Sequence, residues 1–227
     1  VACMDENSGT DERWHTGHTL QRENYKYLLE KVIEEPWFGV VFKPKVQKTL
    51  RIRLGNEVSE LLNEAEKTGR CYVYWHSNKD FGSGVSPITA ALSADIAIQP
   101  HVSAGTCSME CALAGIPTLL IDREGWKRSR FYQLGENKTV FQDWPTLMDA
   151  LMEHWKSRQI PGFGIWPTSF LHELDPFRDG RAAERMGNYL HELIQGFEKG
   201  LDRETILEET AQRYRKQWGP DKVTSIG

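Results

Sequence analysis

No apolar run in this chain is long enough to cross a bilayer. Stretches such as Ile116–Ile121 fall far short of the ~20 residues a spanning helix needs. No signal-peptide pattern is present. Cysteine is scarce, and the four thiols, Cys3, Cys71, Cys107 and Cys111, lack the spacing of a disulfide scaffold. Reduced cytosolic thiols are the simplest reading. Cys107 and Cys111 share one helix face, but no nearby His pair has zinc spacing, so small buried residues are the favoured reading. His15-x-x-His18 lacks a third ligand and reads as a loop feature. No charge of one sign dominates. Lys and Arg total 28 against 32 Asp and Glu, a net charge of −4, which argues against a general nucleic-acid binder.

Several catalytic signatures are also missing. Without Gly-x-x-x-x-Gly-Lys-Ser/Thr, P-loop ATP hydrolysis is disfavoured. Without Gly-x-Gly-x-x-Gly after the first strand, a dinucleotide cofactor is disfavoured. There is no Gly-x-Ser-x-Gly elbow.

What is present is an alternation of short apolar strands and amphipathic helices. Hydrophobic residues make up 39% of the 227 and charged residues 26%, as in a globular domain. Strands are expected at Val1–Met4, Phe38–Phe42, Cys71–Trp75, Asp95–Ile98, Thr118–Ile121 and Val140–Phe141. Helices are expected at Arg22–Glu34, Asn56–Lys67, Pro87–Ser93, Ser108–Ala114 and Trp144–Trp155. Such alternation implies an α/β fold, a Rossmann-like parallel sheet with helices on both faces. Two further helices, Gly180–Phe197 and Arg203–Trp218, form a C-terminal helical extension. The expected domains are 1–160, binding the ligand, and 161–227, an extension that packs either on this domain or on another one. Right-handed crossovers bring the strand ends to one edge, where ligands bind. That edge gathers Asp5–Gly9, Lys43–Lys45, His76–Asn78, Gln99–Ser103 and Asp122–Arg123.

The richest stretch is Gln99–Asp122. A loop of small residues (Ser103, Gly105, Thr106) leads through Cys107 and Ser108 into a helix, whose first N–H groups and positive dipole end suit a phosphate. Glu110 follows, where a carboxylate can take the two hydroxyls of a ribose. Ala114-Gly115-Ile116-Pro117 then ends the helix and restarts the chain as a strand. His101 precedes the cradle, and His76 ends another strand at the same edge. Lys43 and Lys45 follow a buried strand at the same edge and offer two cations that can neutralise a diphosphate. The alternative for each is a structural role: a solvated strand end for the lysines, a hydrogen-bonding strand end for His76, an exposed helix position for Glu110.

The stretch resembles the donor-nucleotide motif of glycosyltransferases of the two-domain GT-B fold. His101, Ser103-Ala104-Gly105-Thr106, Glu110 and Ala114-Gly115-Ile116-Pro117 carry the resemblance. It implies a nucleotide-sugar site at His101, Ser103, Gly105, Thr106 and Glu110, to which Cys107 and Ser108 at the helix start and Lys43, Lys45 and His76 at the same sheet edge are added, with transfer to a glycan or polysaccharide acceptor. No Asp-x-Asp metal–diphosphate element is present, so a metal-independent enzyme is expected, with the nucleotide-sugar as substrate and no further cofactor. Leaving-group stabilisation then falls to lysines, helix N–H groups and Arg123, Lys127 or Arg128. By the same resemblance the chain is expected to be the C-terminal half of a longer protein, little active alone, with its catalytic base on a missing N-terminal domain; a free-standing processed domain is the alternative. The full-length protein is expected in the cytoplasm, peripheral at the inner membrane, in surface-polysaccharide synthesis. A sugar-nucleotide 2-epimerase, which has a related motif, and a non-catalytic binding or scaffold domain are the alternatives.

Overall fold

A computed structural model describes residues 1–5, 8–10, 17–74, 86–157 and 160–222. The strands are β1 (Ala2–Asp5), β2 (Val40–Pro44), β3 (Cys71–Val73), β4 (Ala97–Gln99), β5 (Thr118–Ile121) and β6 (Val140–Phe141). They form one sheet in the order β3-β2-β1-β4-β5-β6, and every pairing is parallel. Between β1 and β4 the strand order reverses. This is the switch point of a doubly wound sheet, where a crevice opens beyond the strand ends.

Each sheet face has its own helices. Cys3, Val40, Phe42, Ile98, Leu119, Ile121 and Phe141 pack on the side of α1 (His18–Glu34), α2 (Leu50–Lys67) and α5 (Trp144–Ser157). Ala2, Met4 and Ala97 pack on the other side with α3 (Pro87–Ala91) and α4 (Thr106–Leu113). Strand periodicity decides this division, because alternate residues point to opposite faces.

Three local features depart from the expected elements. Helix α1 begins earlier, at His18. Its buried stripe is polar at the sheet's ligand edge (Gln21, Asn24, Tyr25) and apolar below (Leu28, Leu29, Val32). Helix α2 begins at Leu50, and Gly55 interrupts it at φ 74° and ψ 178°. That conformation suits Gly and separates one turn carrying the buried Arg53 from the longer helix beyond. Finally, the Gly162–Trp166 turn belongs with the sheet. Gly164 O accepts from Thr118 N at 2.7 Å, and Trp166 Nε1 donates to Thr118 O at 3.0 Å.

The chain divides into two compact units, Val1–Pro167 and Thr168–Gly227. The second holds α6 (Thr168–Leu174), which the sequence pattern did not indicate, with α7 (Ala182–Glu198) and α8 (Arg203–Trp218). Asp202 caps α8 by accepting from Thr205 N at 3.0 Å. Gly196 lets α7 approach α8, since a Cβ there would stand 2.8 Å from Ile206 Cγ1. Among the described residues no helix is long and apolar enough to cross a membrane.

Candidate functional site at the sheet's switch point

Because all strands run parallel, Asp5, Lys43–Lys45, Gln99–Ser103 and Asp122–Arg123 share one edge of the sheet. His76, with Ser77 and Asn78, lies outside the described residues, as do Glu6 and Asn7.

Asp5 ends β1 and is almost wholly buried. Its Oδ1 accepts from Gln21 Nε2 at 2.6 Å, its Oδ2 accepts from Tyr25 O–H at 3.1 Å, and Arg53 Nη1 stands 3.9 Å from Oδ2. Burial pushes its carboxyl up to about 6, against the hydrogen bonds from Gln21 and Tyr25 and the charges of Arg53 and His101. Gln21 Oε1 accepts from Arg53 Nη1 at 2.9 Å and from Ser8 O–H, while Ser8 Oγ lies 2.6 Å from His18 Nδ1. Arg53 is held further by Val46 O and Thr49 Oγ1. A buried guanidinium with partners on each nitrogen is the arrangement that makes such burial tolerable.

A second cluster joins β4 to β5. His101 is 1% exposed, its Nδ1 lying 3.2 Å from Glu124 Oε1 and its Nε2 lying 3.4 Å from Asn24 Nδ2. Glu124 also accepts from Ser103 O–H at 2.9 Å and from Ser103 N–H at 3.4 Å. Burial alone would raise the Glu124 pKa, but hydrogen bonds from His101 and Ser103, with the charge of His101, outweigh it and hold the carboxyl below its usual range. Asn24 Oδ1 accepts from Arg123 Nη1 at 3.0 Å and Trp144 Nε1 at 2.9 Å, and Arg123 Nη2 donates to Glu23 Oε2 at 2.6 Å. Arg123 therefore spends its guanidinium on α1.

The expected phosphate cradle is built differently from its sequence reading. The first turn of α4, Thr106–Ser108, precedes the ladder bond from Met109 N to Gly105 O, and no side chain caps it. Ser108 is buried, and its hydroxyl donates to Gly105 O at 2.5 Å, whereas Thr106 is exposed. Gly105 serves packing: a Cβ there would meet the Phe131 ring at 2.5 Å. Glu110 is half-buried, and its Oε2 accepts from Ser86 O–H at 3.0 Å. The carboxylate read as free to take ribose hydroxyls thus already has a protein partner.

Lys43 lies half-buried on the α4 side of β2. Burial lowers its pKa, against the opposing influence of Cys107 and Asp5, and its Nζ donates to Pro44 O at 3.4 Å. Lys45 is exposed, with its backbone N–H on Asp5 O at 3.2 Å. Gln99, fully buried on the α4 face, has a side-chain amide without a hydrogen-bond partner among the described residues.

Sequence reasoning missed Gln21, Asn24, Arg53 and Glu124. Gln21 and Asn24 carried a signal, as polar residues on the apolar stripe of α1 at helical spacing. Among the described residues no group of three or more His, Cys, Asp or Glu is placed to hold a metal ion. No family model, no curated protein and no solved structure matches the chain.

Proposed function

We propose that the first unit is the donor-binding half of a GT-B-like, metal-independent glycosyltransferase that moves a sugar from a nucleotide-sugar to a glycan or polysaccharide acceptor. The observation that carries this reading is topological: Lys43 lies in β2, and α4 opens at Thr106–Ser108 after β4, so both fall at the same end of the parallel sheet. A diphosphate leaving group gains charge as the glycosidic bond breaks, and a cation beside a helix N-terminus stabilises such charge. In this reading Glu110 takes the ribose hydroxyls. A missing N-terminal domain supplies the base that deprotonates the acceptor, and the whole protein works in the cytoplasm at the inner membrane.

Calorimetry with nucleoside diphosphates in EDTA tests the reading. Binding without metal is expected, and binding that appears only with magnesium or manganese overturns the metal-free mechanism. Absence of binding under both conditions overturns the nucleotide site.

One observation favours a second reading, the sugar-nucleotide 2-epimerase. Asp5 ends β1 and the His101–Glu124 pair, 3.2 Å apart, follows β4 and β5, which puts a carboxyl and a carboxylate–imidazole pair on the two sides of the switch point. An epimerase must remove and return a proton at the sugar C2, which needs acid–base groups around it. Incubation with a nucleotide-sugar in deuterium oxide separates the two: incorporation at C2 supports epimerisation, and an unlabelled sugar supports transfer. Binding without either reaction in the full-length protein supports a non-catalytic domain.

A further inference from the structure

The segment leaving β5 is held in shape from beneath and displays its cations outward. Asp122 is 3% exposed and accepts from Trp126 N–H at 3.0 Å and Tyr132 O–H at 2.6 Å. Within the turn, Lys127 N–H bonds Gly125 O and Ser129 N–H bonds Trp126 O. Gly125 takes φ +73°, which costs Gly little. A loop ordered in this way loses less entropy when it binds.

The display is specific. Trp126 is 51% exposed, and Lys127, Arg128 and Arg130 are all exposed beside it. Lys127 and Arg128 form no ion pair with any described residue. The acid of the same stretch, Glu124, is turned inward onto Ser103 and His101. In a chain of net charge −4, a cationic patch around an exposed indole is not a by-product of composition. Glu124 stands at the base of the loop, so the patch borders the candidate site.

We infer that Gly125–Arg130 is the docking surface for an acidic glycan. The indole stacks on the apolar face of a sugar ring, and Lys127 and Arg128 pair with the anionic groups the glycan carries. The inference rests on the sugar-transfer reading of the neighbouring site and names the acceptor's class, a polyanionic saccharide. A membrane surface fits less well. Interfacial binding draws on an extended apolar face, and Trp126 is the exposed large apolar side chain between Asp122 and Val140.

The test uses the full chain and two acidic probes, hexagalacturonate and a chondroitin sulfate hexasaccharide, with maltohexaose as the neutral counterpart. Both acidic probes bind and maltohexaose does not. Binding weakens as salt rises from about 0.1 M to about 1 M, where the screening length falls from about 10 Å to about 3 Å. Trp126→Ala and the double variant Lys127→Ala/Arg128→Ala each bind the acidic probes about tenfold more weakly, the scale of losing a charge-assisted or fully formed contact. Melting temperatures confirm folding, which these exposed positions do not threaten.

Nucleoside diphosphate affinity is measured on the same samples. If the acidic probes bind and the nucleotide does not, the donor-site reading fails alone. Failure of both acidic probes, equal binding of maltohexaose, or variants that bind like wild type overturns the docking surface. A parallel loss of nucleotide affinity in the double variant also overturns it, because the cations then serve the leaving group. Anionic phosphatidylglycerol vesicles are a further arm: vesicle binding lost in the same variants, without glycan binding, assigns the patch to a membrane and overturns the inference.

Discussion

Glu124 Oε1 lies 3.2 Å from His101 Nδ1, so a carboxylate placed just after β5 fixes an imidazole placed just after β4. The other ring nitrogen, Nε2, lies 3.4 Å from Asn24 Nδ2, so the imidazole is held from both sides. The same carboxylate accepts from Ser103 O–H and N–H. The loop read as a phosphate cradle is thus closed by an anion of the protein's own. In the proposed nucleotide site a phosphate would therefore have the α4 start and Lys43, not Ser103, to bind.

Glu124→Gln is expected to destabilise the protein by about 1–3 kcal/mol near neutral pH, since hydrogen bonds to an ionised acceptor become neutral ones. The effect has a defined pH window. The folded Glu124 pKa is depressed, so its stabilisation is present above the unfolded value of about 4.3 and is lost as pH falls through the lower folded value. Urea unfolding of both proteins between about pH 3 and pH 7 measures this. A difference that stays constant across the range removes the ionised carboxylate from the account.

Asp5 has the opposite sign. Its folded pKa of about 6 lies above the unfolded value of ~3.9, so between the two the folded protein binds more protons. The contribution is fully present below ~3.9 and is lost as pH rises through about 6. On the scale of ~1.4 kcal/mol per pKa unit, ionised Asp5 costs on the order of 3 kcal/mol at neutral pH. Relative to wild type, Asp5→Asn should therefore gain stability as pH rises from about 4 to about 7. Unfolding midpoints at several pH values measure the gain. No gain would mean that Arg53, 3.9 Å away, compensates the ionised form in full.

Gly105→Ala should destabilise the protein by about 1–3 kcal/mol, the usual cost of overpacking. The added methyl would meet the Phe131 ring at 2.5 Å. Phe131→Leu in the same chain should recover part of the loss, so the two changes are non-additive in a double-mutant cycle. Additive effects would place the strain elsewhere in the loop.

The sheet was legible in sequence because each strand is a short apolar run between helices of regular spacing. Thr118–Ile121 and Arg203–Trp218 have the bounds expected of them. The first turn of α2 was not legible, because Gly55 breaks the period and leaves Leu50–Leu54 too short to show one. Helix α6 was hidden for a similar reason, a single brief helix within an aromatic, turn-rich stretch. Of the site, His101 and Ser103 stood out by type and place, but Glu124 did not. Its role depends on β4 and β5 being neighbours, and pairing across the sheet leaves no periodic trace in one sequence. Arg53 shares its stretch with Lys48 and Arg51, and burial beside Gln21 is what distinguishes it.

Glu110 remains the residue on which the nucleotide reading is most exposed. A carboxylate gripping two ribose hydroxyls makes charge-assisted bonds, and Gln keeps the shape while losing the charge. Such bonds are worth ~1.5–3 kcal/mol against ~0.5–1.5 kcal/mol for neutral ones, so Glu110→Gln should weaken nucleotide affinity by about 1 kcal/mol. The contact with Ser86 at 3.0 Å supplies the control. Ser86→Ala removes a protein partner and leaves the carboxylate, so it should leave the charge available to the ribose and disturb affinity less than Glu110→Gln. Dissociation constants for wild type and both variants, with melting temperatures taken without ligand, make the comparison. Glu110→Gln with wild-type affinity would take the residue out of the site. Equal loss of melting temperature in both variants, with affinity unchanged, would instead assign Glu110 to fastening α4 to the residue that precedes α3.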